Sequence, residues 1–143
     1  MSDDIFLVDT NILVYAFDCD EREKRDACKC LIEMSWNGTE EYAISIQNLS
    51  EFYVIVTKKI PKPISSIIAR QIIQDIIEFS NWKVLDFNSG TLISAIKLNS
   101  KYNIHYLDAL ICATMLENGI NCIYTENVKD FNKIPGLTVV NPI

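Results

Sequence analysis

The chain has 143 residues, a length that suits one domain built around one core. Hydrophobic residues make up 49% and charged residues 22%, which excludes a disordered or fibrous chain. There are 13 Lys and Arg residues against 19 Asp and Glu residues, giving a net charge of −6, so a broad basic face for nucleic acid is excluded. If such a chain handles nucleic acid, a divalent metal is the obvious means of cancelling its charge locally.

The sequence gives no sign of a membrane span or a secretory signal. No apolar run reaches the roughly 18–20 residues that cross a bilayer. The chain begins with Met1, Ser2, Asp3 and Asp4, whereas a signal peptide begins with basic residues. The five cysteines are odd in number and irregularly spaced, which is typical of free thiols in a reducing compartment. We therefore expect a cytoplasmic protein that does not bind membranes.

Strands and helices are predicted to alternate in the first half of the chain. The short apolar run 5–8 predicts a strand buried on both faces, and it ends at Asp9. Apolar periodicity and helix breakers then predict helices over 10–16, from the acidic stretch 18–23 to 37, over 47–59 and over 64–79, with a strand at 42–45 between the second and third helices.

The second half continues the alternation. Strands are predicted at 83–87, 122–124 and 138–140, and helices at 91–101 and 106–117. Alternating strands and helices imply parallel pairing through right-handed crossovers, with helices on both faces of the sheet. Ligands of such folds bind beyond the carboxyl ends of the strands, which points to Asp9 after the first strand and Thr125 after the fourth.

The helix at 64–79 carries an unusually wide apolar stripe. Ile68, Ile72 and Ile76 fall on one line, with further apolar residues beside it. Two interpretations stay open: the whole stripe packs into the core, or part of it packs against a second copy of the chain.

Four polar residues interrupt apolar sequence, namely Asp9, Glu51, Asp108 and Asn127. A buried carboxylate costs several kcal/mol unless it is paired, hydrogen-bonded or bound to metal. Taken singly, the two aspartates could cap helices and Glu51 could lie on an exposed helix edge. Taken together, they are placed to converge at the carboxyl edge of one sheet, where clustered oxygen ligands suit Mg²⁺ or Mn²⁺ rather than zinc.

The ordered motifs resemble those of PIN-domain ribonucleases, especially the toxins of toxin–antitoxin pairs. The similarity lies in FLVDTNIL at 6–13, ISIQNLSEF at 44–52, YLDALI at 106–111, IYTEN at 123–127 and the tail GLTVVNP at 136–142. Each motif is short, but all of them occur in order and they span essentially the whole chain.

This resemblance implies a single PIN-like domain over 1–143, a three-layer α/β/α sandwich with a central parallel sheet. It also implies Mg²⁺- or Mn²⁺-dependent hydrolysis of RNA, a possible antitoxin partner and a homodimer. By position, Asp9, Glu51 and Asp108 are the expected catalytic acids and metal ligands. Supporting roles are expected of Thr10, Asn11, Thr125 and Asn127.

Asn127 departs from the pattern, because it stands where many relatives have a fourth acid. An amide removes one negative charge from the site, which leaves open whether one or two ions bind. Glu126 and Asp130 are nearby acids that could compensate. The departure also keeps an alternative function open: a degenerate PIN domain that acts as a non-catalytic RNA- or protein-binding module.

Lys58, Lys59 and Lys62 form the one dense basic cluster. Such a cluster can be a solvated helix end, where cations favour the helix dipole, or a contact for RNA phosphates beside the site. The single histidine, His105, is interpreted as an ordinary loop residue.

Overall fold

A computed structural model describes residues 4–143 of the chain. Its sheet has five strands: β1 (Phe6–Val8), β2 (Tyr42–Ser45), β3 (Trp82–Leu85), β4 (Cys122–Tyr124) and β5 (Thr138–Val140). All four neighbouring pairs are parallel, and the strand order is β3-β2-β1-β4-β5. The parallel sheet expected from the sequence is confirmed.

Helices cover both faces of this sheet, as predicted. Within residues 4–143 they are α1 (Thr10–Tyr15), α2 (Arg22–Trp36), α3 (Ile46–Lys58), α4 (Ser66–Glu78), α5 (Ser89–Tyr102), α6 (Tyr106–Glu117) and α7 (Val128–Phe131). One buried cluster joins the sheet to α1–α4, and a second joins it to α5–α7. The result is the three-layer α/β/α sandwich.

The strand order places a crevice at the centre of the sheet. The chain runs from β1 outward to β3 and then returns to β4 on the other side of β1. Ligand sites of open parallel sheets form where the order reverses in this way. The backbone N–H of Asp9 extends the pairing by donating to the carbonyl of Tyr124 at 3.0 Å, so the ends of β1 and β4 are held side by side.

Element boundaries differ from the predicted ones by a few residues, because local caps set them. The Ser45 hydroxyl accepts the N–H of Asn48, so α3 begins at once after β2. The Asn88 side chain caps α5 in the same way, and β3 ends at Leu85, two residues earlier than predicted. The short helix α7 was not predicted, since four residues are too few for a periodic pattern.

Two further expectations concern the whole chain. All five cysteines are free thiols. Across residues 4–143, no helix combines the length and apolar character that crossing a bilayer requires.

Candidate active site

Asp9 lies at the carboxyl end of β1 and is the first residue of the site. Its side chain caps α1, with Oδ1 accepting the N–H of Thr10 at 2.8 Å. Its other oxygen, Oδ2, accepts the hydroxyl of Thr125 at 2.8 Å. Asp9 is therefore both a helix cap and a buried acid, so the two interpretations of this residue are compatible.

Thr125 brings the end of β4 to the same point. It is fully buried, and its hydroxyl also accepts the backbone N–H of Asn127 at 3.0 Å. One threonine thus fixes the position of Asp9 and the turn after β4. The supporting role expected of Thr125 has a specific geometric basis.

Asn48 is a site residue to which the sequence analysis assigned no role. Its carbonyl oxygen accepts both the N–H and the hydroxyl of Ser45, at 3.1 and 2.7 Å, and closes a capping box at the start of α3. Its amide nitrogen donates to the hydroxyl of Thr10 at 2.9 Å and lies 3.4 Å from Asp9 Oδ1. The same side chain that starts α3 therefore ties it to β1 and α1.

Glu51 is presented by α3, one turn after Asn48. Its Oε1 accepts the Thr10 hydroxyl at 2.7 Å, and its Oε2 accepts the Gln47 amide at 3.3 Å. The Gln47 amide nitrogen also donates to the carbonyl of Leu107 at 3.0 Å, which links α3 to α6. Spacing along α3 could have indicated Gln47 and Asn48, because residues three and four positions before Glu51 share its face of the helix.

Asp108 projects from the first turn of α6. The cap of that helix is His105, whose Nδ1 accepts the N–H of Leu107 at 3.3 Å, so Asp108 is not the cap residue. Asp108 Oδ2 accepts the amide of Asn127 at 2.9 Å, and the same amide donates to Asp130 at 3.1 Å. Asn127 thus joins Asp108 to a neighbouring acid.

These elements surround one cavity of about 700 Å³ at the carboxyl edge of the sheet. The three predicted acids and the predicted polar residues Thr10, Asn11 and Asn127 all line it. Its remaining walls are mostly apolar and include Val14, Val54, Ile55, Leu107 and Ile111. Asp9, Glu51 and Asp108 therefore line one cavity, as the sequence predicts.

Burial and the charge of neighbouring acids raise the pKa of Asp9 and of Asp108. Asp9 is 6% exposed, and burial raises its pKa to about 6 against the hydrogen bonds from Thr125 and Thr10, with Asp108 and Glu51 raising it further. The pKa of Asp108 is raised by burial first and also by Asp130 and Glu51, while His105 lowers it. In the part of the chain that the structure describes, no lysine or arginine is ion-paired with these three acids.

The donor set fits a hard divalent cation. Carboxylate oxygens from three elements face one cavity, and their charge is not neutralised by a bonded cation of the protein. As the side chains stand, however, residues 4–143 contain no group of three or more Asp, Glu, His or Cys closed around one ion position.

The two acids considered as compensation for Asn127, Glu126 and Asp130, have different partners in the structure. Glu126 accepts from Lys24 at 2.9 Å and from the Tyr15 hydroxyl at 2.6 Å, whereas Asp130 is joined to Asp108 through Asn127.

The three lysines of the basic cluster also differ in their surroundings. Lys59 lines the cavity, and Lys62 pairs with Asp20 at 3.7 Å. Lys58 is exposed at the end of α3 and is not among the residues that line the cavity.

Comparison with known proteins places this geometry in a family. The family model of the PIN domain matches residues 6–137. Among curated proteins, no sequence matches the chain.

Solved structures of similar fold match nearly the whole chain. A toxin–antitoxin complex from Klebsiella pneumoniae is 26% identical, with 96% of this chain and 98% of that chain covered and a TM-score of 0.67. VapBC2 from Rickettsia felis, solved with a DNA fragment from its promoter, is 24% identical over 96% and 98%, with a TM-score of 0.64. VapC20 of Mycobacterium tuberculosis, described as a toxin that cleaves the sarcin–ricin loop, is 14% identical over 92% and 96%, with a TM-score of 0.67.

Proposed function

The chain belongs to the PIN-domain family, and on that premise we propose that it is a Mg²⁺- or Mn²⁺-dependent endoribonuclease. The observation that carries the proposal is the convergence of Asp9, Glu51 and Asp108 on one cavity without a bonded cation of the protein. Three acids held in this way repel one another, and a divalent cation relieves that repulsion. The same cation would attract a phosphodiester that the acidic chain otherwise repels.

Some residues of the site would bind the metal ion, and others orient those ligands. A bound Mg²⁺ or Mn²⁺ would supply activation of water and neutralise charge on the phosphate. Thr10 and Thr125 orient the carboxylates of Glu51 and Asp9 through their hydroxyls, so these ligands are preorganised. No side chain needs to form a covalent intermediate.

The test is cleavage of an unstructured RNA as a function of metal. We expect the purified chain to cut RNA with Mg²⁺ or Mn²⁺, to stop when the metal is chelated, and to leave a 5′-phosphate and a 3′-hydroxyl. A folded chain that binds RNA but cuts none at any metal concentration would favour the alternative, a degenerate PIN domain acting as a binding module. Asn127, an amide in place of an acid, is the observation that keeps this alternative.

The biological setting proposed is the toxin half of a toxin–antitoxin pair in the cytoplasm. Support comes from the match of fold over nearly the full length of one chain in a solved toxin–antitoxin complex. Growth arrest on expression, relieved by co-expression of an adjacent small reading frame, is the expected behaviour. Relief without complex formation between the two products would count against a direct antitoxin.

Lys59 is the proposed phosphate contact of the basic cluster, because it alone of the three lysines lines the cavity. We expect Lys59→Ala to raise KM for RNA by about three- to tenfold and to reduce the salt dependence of binding by roughly one phosphate contact. Lys58→Ala removes the same charge from the neighbouring, exposed position and should change KM little. Equal effects of the two variants would show that only the net charge matters.

A homodimer through α4 is proposed from the exposed part of the isoleucine stripe. Ile76 is buried in the core, whereas Ile68 is 54% and Ile67 is 69% exposed, so the stripe serves the core only in part. We expect a dimer by light scattering at micromolar concentration, and a monomer for Ile68→Lys. Ile93→Lys, at a similarly exposed isoleucine on α5, is the control that should stay dimeric. A parent that is monomeric, or an Ile68→Lys that stays dimeric, would contradict the proposed interface.

A further inference from the structure

A polar cluster beside the cavity joins three elements of the fold. Tyr15 is the last residue of α1, Lys24 lies in the first turn of α2, and Glu126 lies between β4 and α7. The Lys24 ammonium is 2.9 Å from Glu126 Oε2, and the Tyr15 hydroxyl donates to Glu126 Oε1 at 2.6 Å. Lys24 also donates to the Tyr15 oxygen at 3.3 Å and lies 4.8 Å from the centre of its ring. Both oxygens of Glu126 are therefore occupied by side chains of α1 and α2.

This ion pair differs from the Lys29–Glu33 pair on the surface of the same helix. Its side chains are about one-third exposed and are shared with a tyrosine, whereas Lys29 and Glu33 of α2 are more than half exposed and lie 3.9 Å apart. Hydrogen bonds from Tyr15 and Lys24 lower the pKa of Glu126. At neutral pH the carboxylate of Glu126 is therefore ionised, and its charge is balanced by the Lys24 ammonium.

The backbone around Glu126 carries two contacts of the site. Thr125, directly before it, donates to Asp9, and Asn127, directly after it, donates to Asp108. The segment 125–127 is not part of a regular element. The backbone N–H of Thr125 donates to the carbonyl of Val140 at 3.0 Å, whereas the backbone N–H groups of Glu126 and Asn127 donate to side chains, at 3.5 Å and 3.0 Å. Its middle residue, Glu126, is the one that Tyr15 of α1 and Lys24 of α2 bind.

We propose that Lys24 and Tyr15 act through Glu126 as positioning residues that hold the segment 125–127 in register with Asp9 and Asp108. The sequence analysis considered Glu126 as a substitute acid, and the geometry points instead to a clamp at the edge of the cavity, whose lining includes Tyr15. The consequence for metal affinity rests on the proposed function, whereas the clamp itself does not.

The first measurement is amide hydrogen exchange of the full chain without metal. Lys24→Met removes the ammonium but keeps most of the side-chain volume. We expect exchange at Glu126 and Asn127 to become about tenfold faster, since local opening no longer breaks the ion pair. Lys29→Met, on the same helix, is the matched control and should behave as the parent. Lys24→Arg, which retains the charge, should restore slow exchange.

The second measurement is Mn²⁺ affinity by calorimetry, together with the midpoint of thermal unfolding. We expect Lys24→Met and Glu126→Gln each to weaken Mn²⁺ binding by about three- to tenfold, and the double variant to lose no more than either single one. A purely structural role would lower the unfolding midpoint and leave the Mn²⁺ affinity unchanged.

Each outcome decides the proposal. Faster exchange and weaker Mn²⁺ binding in Lys24→Met, with Lys29→Met like the parent, support it. Unchanged exchange at 125–127 overturns the clamp, whether or not the parent binds Mn²⁺. Faster exchange with unchanged Mn²⁺ affinity overturns the positioning role. If the parent binds no Mn²⁺, the proposed function fails and hydrogen exchange alone decides whether the clamp exists.

Discussion

Asp9→Asn should abolish both divalent-metal binding and RNA cleavage. Asp9 is the most deeply buried of the three acids, and both of its oxygens are already held in place by Thr10 and Thr125. The substitution keeps the size of the side chain and its ability to cap α1, but it removes one full charge from the site. We expect Mn²⁺ affinity by calorimetry to fall at least about 100-fold, and cleavage to fall on the order of 10³-fold.

A buried aspartate outside the cavity provides the control. Asp18 has the same exposed fraction as Asp9, 6%, and its carboxylate accepts the N–H of Asp20 at 3.1 Å. Asp18→Asn should leave Mn²⁺ affinity and cleavage close to those of the parent. Equal Mn²⁺ binding by the parent and Asp9→Asn would refute the proposed metal site.

Asp9→Asn should also make the metal-free protein more stable at neutral pH. Folding raises the pKa of Asp9 from 3.8 to about 6, so the folded chain holds this proton more tightly than the unfolded chain does. The contribution of Asp9 to stability is therefore greatest at low pH and is lost as the pH rises through about 6. At pH 7 and above, ionised Asp9 costs about 3 kcal/mol of unfolding free energy, which Asp9→Asn should recover in large part.

The measurement is urea unfolding of the parent and Asp9→Asn between pH 4 and pH 8, with metal chelated. The difference in unfolding free energy should grow from near zero at pH 4 to its full value above pH 6, and then stay constant. Saturating Mn²⁺ should stabilise the parent alone, because only the parent binds it. A difference that does not vary with pH would show that the charge of Asp9 is not the cause.

Local sequence predicted most of the fold because each element carries its own signals. The run 5–8 ends at an acid and is followed by helix-start residues, so the sequence alone locates the junction of β1 and α1. The alternation of elements implies parallel pairing, and the carboxyl ends of parallel strands share one edge of a sheet. These two facts suffice to bring Asp9 and Thr125 together, and the structure confirms that they hydrogen-bond.

Glu126 and Asn48 show where such reasoning ends. In the sequence, Glu126 is one more acid beside the last motif, and only the packing of α2 against α1 gives it Lys24 and Tyr15 as partners. Asn48 similarly reads as a helix-start residue, and its contact with Thr10 depends on two elements that are 38 positions apart in the chain.

The sequence by itself determined which chemical groups this protein has at the edge of its sheet, because secondary structure follows local periodicity, caps and breakers. Only the tertiary structure decided which of those groups share the cavity and which are neutralised elsewhere. The reason is physical: a carboxylate can bind metal only if no nearer cation satisfies it, and the distance to that cation is set by packing between elements far apart in the chain. Asp9 lies in the cavity without such a partner, and Glu126 lies beside it with one.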